Sequence, residues 1–175
     1  MIYLSFDIEE FDMPKEYGYD IAFERQIAIS REGLTAILDL LKKHNAKATF
    51  FSTVVFAQQV PDLIERLLSE GHELASHTYY HSEFENAHLK SSKEALEQQF
   101  GVTIEGLRMP RMLEVSAEEV KKAGYHYNSS VNPTFLVPKE ALDTAAKSVK
   151  LMIRVSPVPV AEIGISVPSV ATSEY

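Results

Sequence analysis

The strongest constraint on this chain is a rhythm of short apolar runs and longer amphipathic segments. Residues 2–6, 48–52, 73–76, 102–107 and 125–127 read as strands, each bounded by turn or charged residues. The segments between them read as helices. After Ser30, a good N-cap, Leu34, Ile37, Leu38 and Leu41 recur at helical spacing, with Lys42 and Lys43 in the last turn. Pro61 opens a second helix carrying Leu63, Ile64, Leu67 and Leu68, and Gly71 closes it. Residues 86–100 hold Leu89, Leu96 and Phe100 among charges, and Gly101 stops them; Ser116 caps a short helix over 117–123. A helix over 139–147 and a strand over 150–155 follow, then an apolar tail with Pro157, Pro159 and Pro168. Strand then helix, repeated, predicts a parallel sheet with helices outside it.

The chemistry-bearing residues fall at the strand ends. Asp7, His77, Arg108 and Asn128 each sit just after an expected strand, which in a (β/α) fold is one edge of the sheet. His77 and His81 are four residues apart, so two imidazoles can reach one metal ion. The spacing alone is a weak signal, and Thr78 stands where a zincin helix needs glutamate. A third ligand from a carboxylate completes such a site. Strand alternation turns Asp7 and Glu9 to the same side, and Glu10 and Asp12 are alternatives to Glu9. Tyr79, Tyr80 and Phe84 offer either a sugar-stacking platform or plain packing.

Composition narrows the function classes. The 175 residues suit one domain spanning 1–175. A formal net charge of −8 argues against a nucleic-acid binder and against an anionic membrane surface. Cysteine is absent, which removes disulfides, thiolate nucleophiles and Cys-ligated zinc. No stretch approaches the ~20 apolar residues of a membrane span. Residues 1–6 are too short for a signal-peptide core and run straight into acids, so the expected location is cytoplasmic.

Five pieces together carry a family resemblance: Ser5-Phe6-Asp7, Ala48-Thr49-Phe50-Phe51, Ser76-His77-Thr78-Tyr79-Tyr80-His81, Arg108-Met109-Pro110-Arg111 and Asn128-Ser129-Ser130. In order and spacing, over roughly residues 1–135, the chain resembles the polysaccharide deacetylase (NodB-homology) family of carbohydrate esterases. The resemblance implies an irregular (β/α) barrel of about seven strands, incomplete or open at its C-terminal end. It implies a metal-dependent hydrolase that removes N-acetyl groups from a polysaccharide or oligosaccharide. Alternatives on the same scaffold are a cyclic-amide hydrolase (allantoinase- or imidase-like) and a non-catalytic glycan-binding protein.

By the same resemblance, Asp7 is the catalytic base and Arg108 orients it, while the backbone N–H of Arg111 is the oxyanion donor. Glu9, His77 and His81 hold one divalent metal ion, zinc first, with cobalt, nickel or manganese as alternatives. Tyr79 and Asn128 contact an acetylated glycan substrate. The chain departs from the common family pattern at three points. Ile8 stands where a second aspartate is usual, so Glu9 fits the Asp-x-Glu variant of the first motif. Asn128 replaces an aspartate. No histidine follows His126, so the family's late general-acid histidine has no counterpart. The tail or a homo-oligomeric partner would cover an open barrel edge.

Overall fold

In the computed structural model, residues 3–130 are described, together with the backbone of a strand at 150–154. The expected helix over 139–147 and the Pro-rich tail lie outside the described residues. Six strands form one sheet: β1 (Tyr3–Ile8), β2 (Ala48–Ser52), β3 (Glu73–Ser76), β4 (Gly106–Leu107), β5 (Tyr127–Asn128) and β6 (Lys150–Arg154). Their order is β5-β4-β3-β2-β1-β6, and every pairing is parallel. The sheet curls as an open half-barrel with helices outside, as the strand–helix rhythm predicts.

The helices are α1 (Met13–Glu16), α2 (Phe23–Lys43), α3 (Val54–Gln59), α4 (Pro61–Ser69), α5 (Ala87–Phe100) and α6 (Ala117–Lys122). Pro61, Gly101 and Ser116 mark ends where the sequence places them; Gly101 takes φ 67°, the left-handed value that glycine adopts without strain. Three expectations are corrected. Helix α2 starts at Phe23, so Ser30 lies inside it: Gln26 is buried a turn earlier, its Nε2 donating to Ile21 O at 3.0 Å. Helix α3 had no separate signal, because its six residues, four apolar and then Gln58 and Gln59, are too few to show a helical period. Strands β4 and β5 are only two residues each and begin later than the apolar runs suggest.

One face of the sheet meets the helices. Phe6, Ile8 and Phe50 point that way and join Leu34, Leu38, Ile64, Leu67, Leu89 and Leu96 in the core. Truncating one such leucine to alanine typically costs about 2–5 kcal/mol. The other face carries Asp7 and Phe51, opposite each other in the β1–β2 register.

Candidate functional site

Register aligns the site. Ile8, Ser52, Ser76, Leu107 and Asn128 form one row across five strands. One residue further on, Glu9, Thr53, His77, Arg108 and Ser129 form the next row, at the C-terminal edge. Asp7 lies within β1 and Asn128 within β5, rather than after them as expected.

Among the described residues Arg108 is the best-buried cation, with its side chain 1% exposed. Its Nη1 donates to Asp7 Oδ1 at 2.6 Å, and its Nη2 to Ser5 Oγ and Ser129 Oγ, each at 2.9 Å. The guanidinium also lies 4.0 Å from the centre of the Phe51 ring, a cation–π contact. A buried charge needs this much satisfaction to be tolerated. Ser5 was legible in principle, since alternation puts it on the Asp7 face; Ser129 was not, because nothing local distinguishes it from Asn128 or Ser130.

Backbone bends deliver the two histidines. His77 directly follows β3, and the next residue, Thr78, takes φ 67°. A β-branched residue there costs about 1–3 kcal/mol and needs its surroundings to hold it. Thr78 N–H donates to Ser76 Oγ at 3.2 Å, Thr78 Oγ1 donates to Tyr80 O at 3.0 Å, and Val54 N–H donates to Thr78 O at 3.2 Å. The reversal leaves the two imidazoles 6.0 Å apart and nearly parallel, at 21°.

Glu9 lies between them. Its Oε2 is 3.0 Å from His77 Nε2, and its Oε1 is 3.4 Å from His81 Nε2. Each imidazole is anchored by its other nitrogen: His77 Nδ1 meets Arg108 O at 2.8 Å, and His81 Nδ1 meets Asp12 Oδ1 at 2.8 Å. A carbonyl can only accept, so His77 Nδ1 carries a proton and its Nε2 faces the carboxylate. Glu9 Oε2 is buried and makes no hydrogen bond, despite that near neighbour. Two imidazole nitrogens and a carboxylate, all within 4.8 Å of one another with their outer nitrogens already hydrogen-bonded, are the donor set of a divalent cation site. The donor set therefore fits a divalent ion, as the family resemblance implies.

The loop after β1 closes the site with two further acids, both buried. Glu10 Oε1 accepts the backbone N–H of His81 at 3.2 Å, and its Oε2 accepts the Thr53 hydroxyl at 2.7 Å. Asp12 accepts from His81 and from the Ser82 hydroxyl. Burial pushes the Asp12 carboxyl up, yet the hydrogen bonds from His81 and Ser82, helped by the charges of His81 and Arg111, hold it below the usual aspartate value. Burial likewise pushes the His81 imidazole down, but its Asp12 hydrogen bond and the charges of Glu9 and Asp12 leave it raised. Asp12 entered the sequence reading only as an alternative ligand; its pairing with His81, 69 positions away, has no local signature.

Arg111 takes φ 53° in the turn after β4 (Pro110–Met112), and its guanidinium meets Glu16 and Ser82. A cavity of about 380 Å³ opens here, lined on its polar side by Asp7, Glu9, Asp12, His81 and Arg111. Tyr79 and Asn128 are outside that lining. Tyr79 packs against Tyr80 and His88, at ring distances of 4.9 and 6.0 Å. Asn128 Oδ1 accepts Ser130 N–H at 3.0 Å, an Asx turn that aims the Ser130 hydroxyl to accept Met109 N–H at 2.8 Å.

Residues 1–128 match the family model described as polysaccharide deacetylase. A peptidoglycan-N-acetylglucosamine deacetylase of Bacillus cereus is 49% identical over 45 residues, which is 26% of this chain and 16% of that protein. A family 4 carbohydrate esterase from Bacillus anthracis superposes with a TM-score of 0.53 at 25% identity, over 73% of this chain and 57% of that one. A Bacillus anthracis pseudoenzyme of the same esterase family shares the fold, with a TM-score of 0.51 at 19% identity, over 70% of this chain and 39% of that one. The chain therefore spans between a sixth and somewhat over half of the length of these relatives. With the match running through the strands and strand ends that carry Asp7, Glu9, His77 and Arg108, this chain belongs to the polysaccharide deacetylase family.

Proposed function

We propose that this chain is a metal-dependent hydrolase that removes N-acetyl groups from a polysaccharide or oligosaccharide. One observation carries the reading: Glu9, His77 and His81 converge, with a buried Glu9 oxygen that makes no hydrogen bond, on the same sheet edge as the Asp7–Arg108 pair. Family membership supports it.

In this reading Glu9, His77 and His81 hold one divalent ion, zinc first. Such an ion supplies Lewis-acid polarisation of an acyl carbonyl and acidification of a water molecule. Asp7 accepts the proton of the attacking water. Arg108 aims that carboxylate through the Nη1–Oδ1 bond, with its own geometry set by Ser5, Ser129 and the Phe51 ring. The Arg111 N–H donates to the developing oxyanion; one such donor is typically worth about 2.7–4 kcal/mol. The departing amine takes up a proton, and protonated Asp7 is the acid at hand.

The test is metal content and acetate release together. Wild type should bind one divalent ion per chain, lose it with His77→Ala, hold it more weakly with Glu9→Ala, and release acetate from N-acetylated chitooligosaccharides or peptidoglycan in parallel. A protein that takes up none of zinc, cobalt, nickel or manganese overturns the reading. Metal binding with ring opening of allantoin or a cyclic imide, and no acetate release, replaces it with the cyclic-amide alternative.

A further inference from the structure

Both metal-facing imidazoles need their outer nitrogens fixed, and the two are fixed differently. His77 leans on a main-chain carbonyl, which the β4 backbone holds in place. His81 leans on a side chain, Asp12, from the loop after β1. Asp12 is itself buried and doubly engaged, by His81 Nδ1 at 2.8 Å and by the Ser82 hydroxyl. Ser82 in turn accepts from Arg111 Nη2 at 3.2 Å, so a continuous chain of contacts runs from His81 through Asp12 and Ser82 to the Arg111 turn.

We propose that Asp12 is the positioning residue for His81: it holds the imidazole with Nδ1 protonated and Nε2 turned to Glu9, and through Ser82 it ties that ring to the Arg111 turn. Resting on the metal reading above, this assigns Asp12 a role beside the metal and not on it. The nitrogen that bears the proton is set by the bond its other nitrogen makes, and such outer partners typically carry about 10–100-fold in metal affinity.

The experiment compares wild type, Asp12→Asn and Asp12→Ala by zinc titration, with long-range 1H–15N spectra of His81 in the metal-free protein at alkaline pH. Asp12→Ala should weaken zinc binding about 10–100-fold and shift the His81 proton to Nε2. Asp12→Asn keeps an acceptor oxygen, so it should retain the Nδ1–H form and recover most of the affinity. Asp12→Ala binding zinc as tightly as wild type, or a wild-type His81 protonated at Nε2, overturns the proposal. Wild type that binds no zinc yet shows the Nδ1–H form, lost in Asp12→Ala, sinks the metal reading while the positioning contact stands.

Discussion

Arg108 Nη1 reaches Asp7 Oδ1 at 2.6 Å across 101 positions of sequence, and it closes the sheet edge from β4 back to β1. Removing the cation strands a carboxylate that is only 12% exposed and takes a donor from the Ser5 and Ser129 hydroxyls. Breaking a buried pair from one side typically costs about 3–5 kcal/mol. Arg108→Ala should therefore lower the urea midpoint sharply. Arg108→Lys should recover only part of the loss, because one ammonium cannot serve Asp7, Ser5 and Ser129 while lying over Phe51. Equal stability of Arg108→Lys and wild type would show that the fork geometry is not used.

Tyr125 anchors the floor beneath the His77 bend. Its hydroxyl donates to Leu89 O at 2.8 Å and lies 3.1 Å from Ser92 Oγ, which accepts from Ser76 Oγ at 3.1 Å. Burial pushes the phenol up to about 12, so it stays neutral and keeps its proton to donate. Tyr125→Phe removes one donor from the Leu89 carbonyl, which keeps the Ser92 hydroxyl at 3.2 Å, and should cost about 0.5–1.5 kcal/mol in denaturant unfolding. A Tyr125→Phe protein of wild-type stability would mean that water replaces the phenol freely.

His72 should make the protein acid-sensitive. Its ring is buried, with Nδ1 accepting Ala48 N–H at 3.2 Å, and that burial, with the charges of Lys47 and Arg66 against the pull of Glu70, holds the imidazole below its ordinary value of 6.5. The unfolded chain then takes up the proton first as pH falls. The stabilisation is complete above the unfolded value and is lost as pH falls from there through the folded value. Thermal midpoints should drop as pH falls below the ordinary imidazole value of 6.5. His72→Asn, which can still accept from Ala48, should flatten that part of the profile. An unchanged slope in the variant would assign the acid sensitivity to other groups.

Much of this architecture was legible in one dimension, because its causes are local. Apolar periodicity, Pro61, Gly101 and the Ser116 cap depend on neighbours within a few residues, and they define the strand–helix order. Parallel strands then bring their C-terminal ends to one edge, and alternation along β1 places Ser5, Asp7 and Glu9 on one side, so an acid from 9–12 could be placed beside His77 and His81, with the family resemblance favouring Glu9. Tertiary structure alone decided what depends on register and on chain return. One residue of register separates Asn128, which is spent on an Asx turn, from Ser129, which reaches Arg108. The left-handed backbone at Thr78 and Arg111 is imposed by surrounding contacts on residues with no intrinsic preference for it. The pairing of Asp12 with His81 joins segments 69 positions apart, and no local pattern encodes a hydrogen bond whose partners meet only after the sheet has formed.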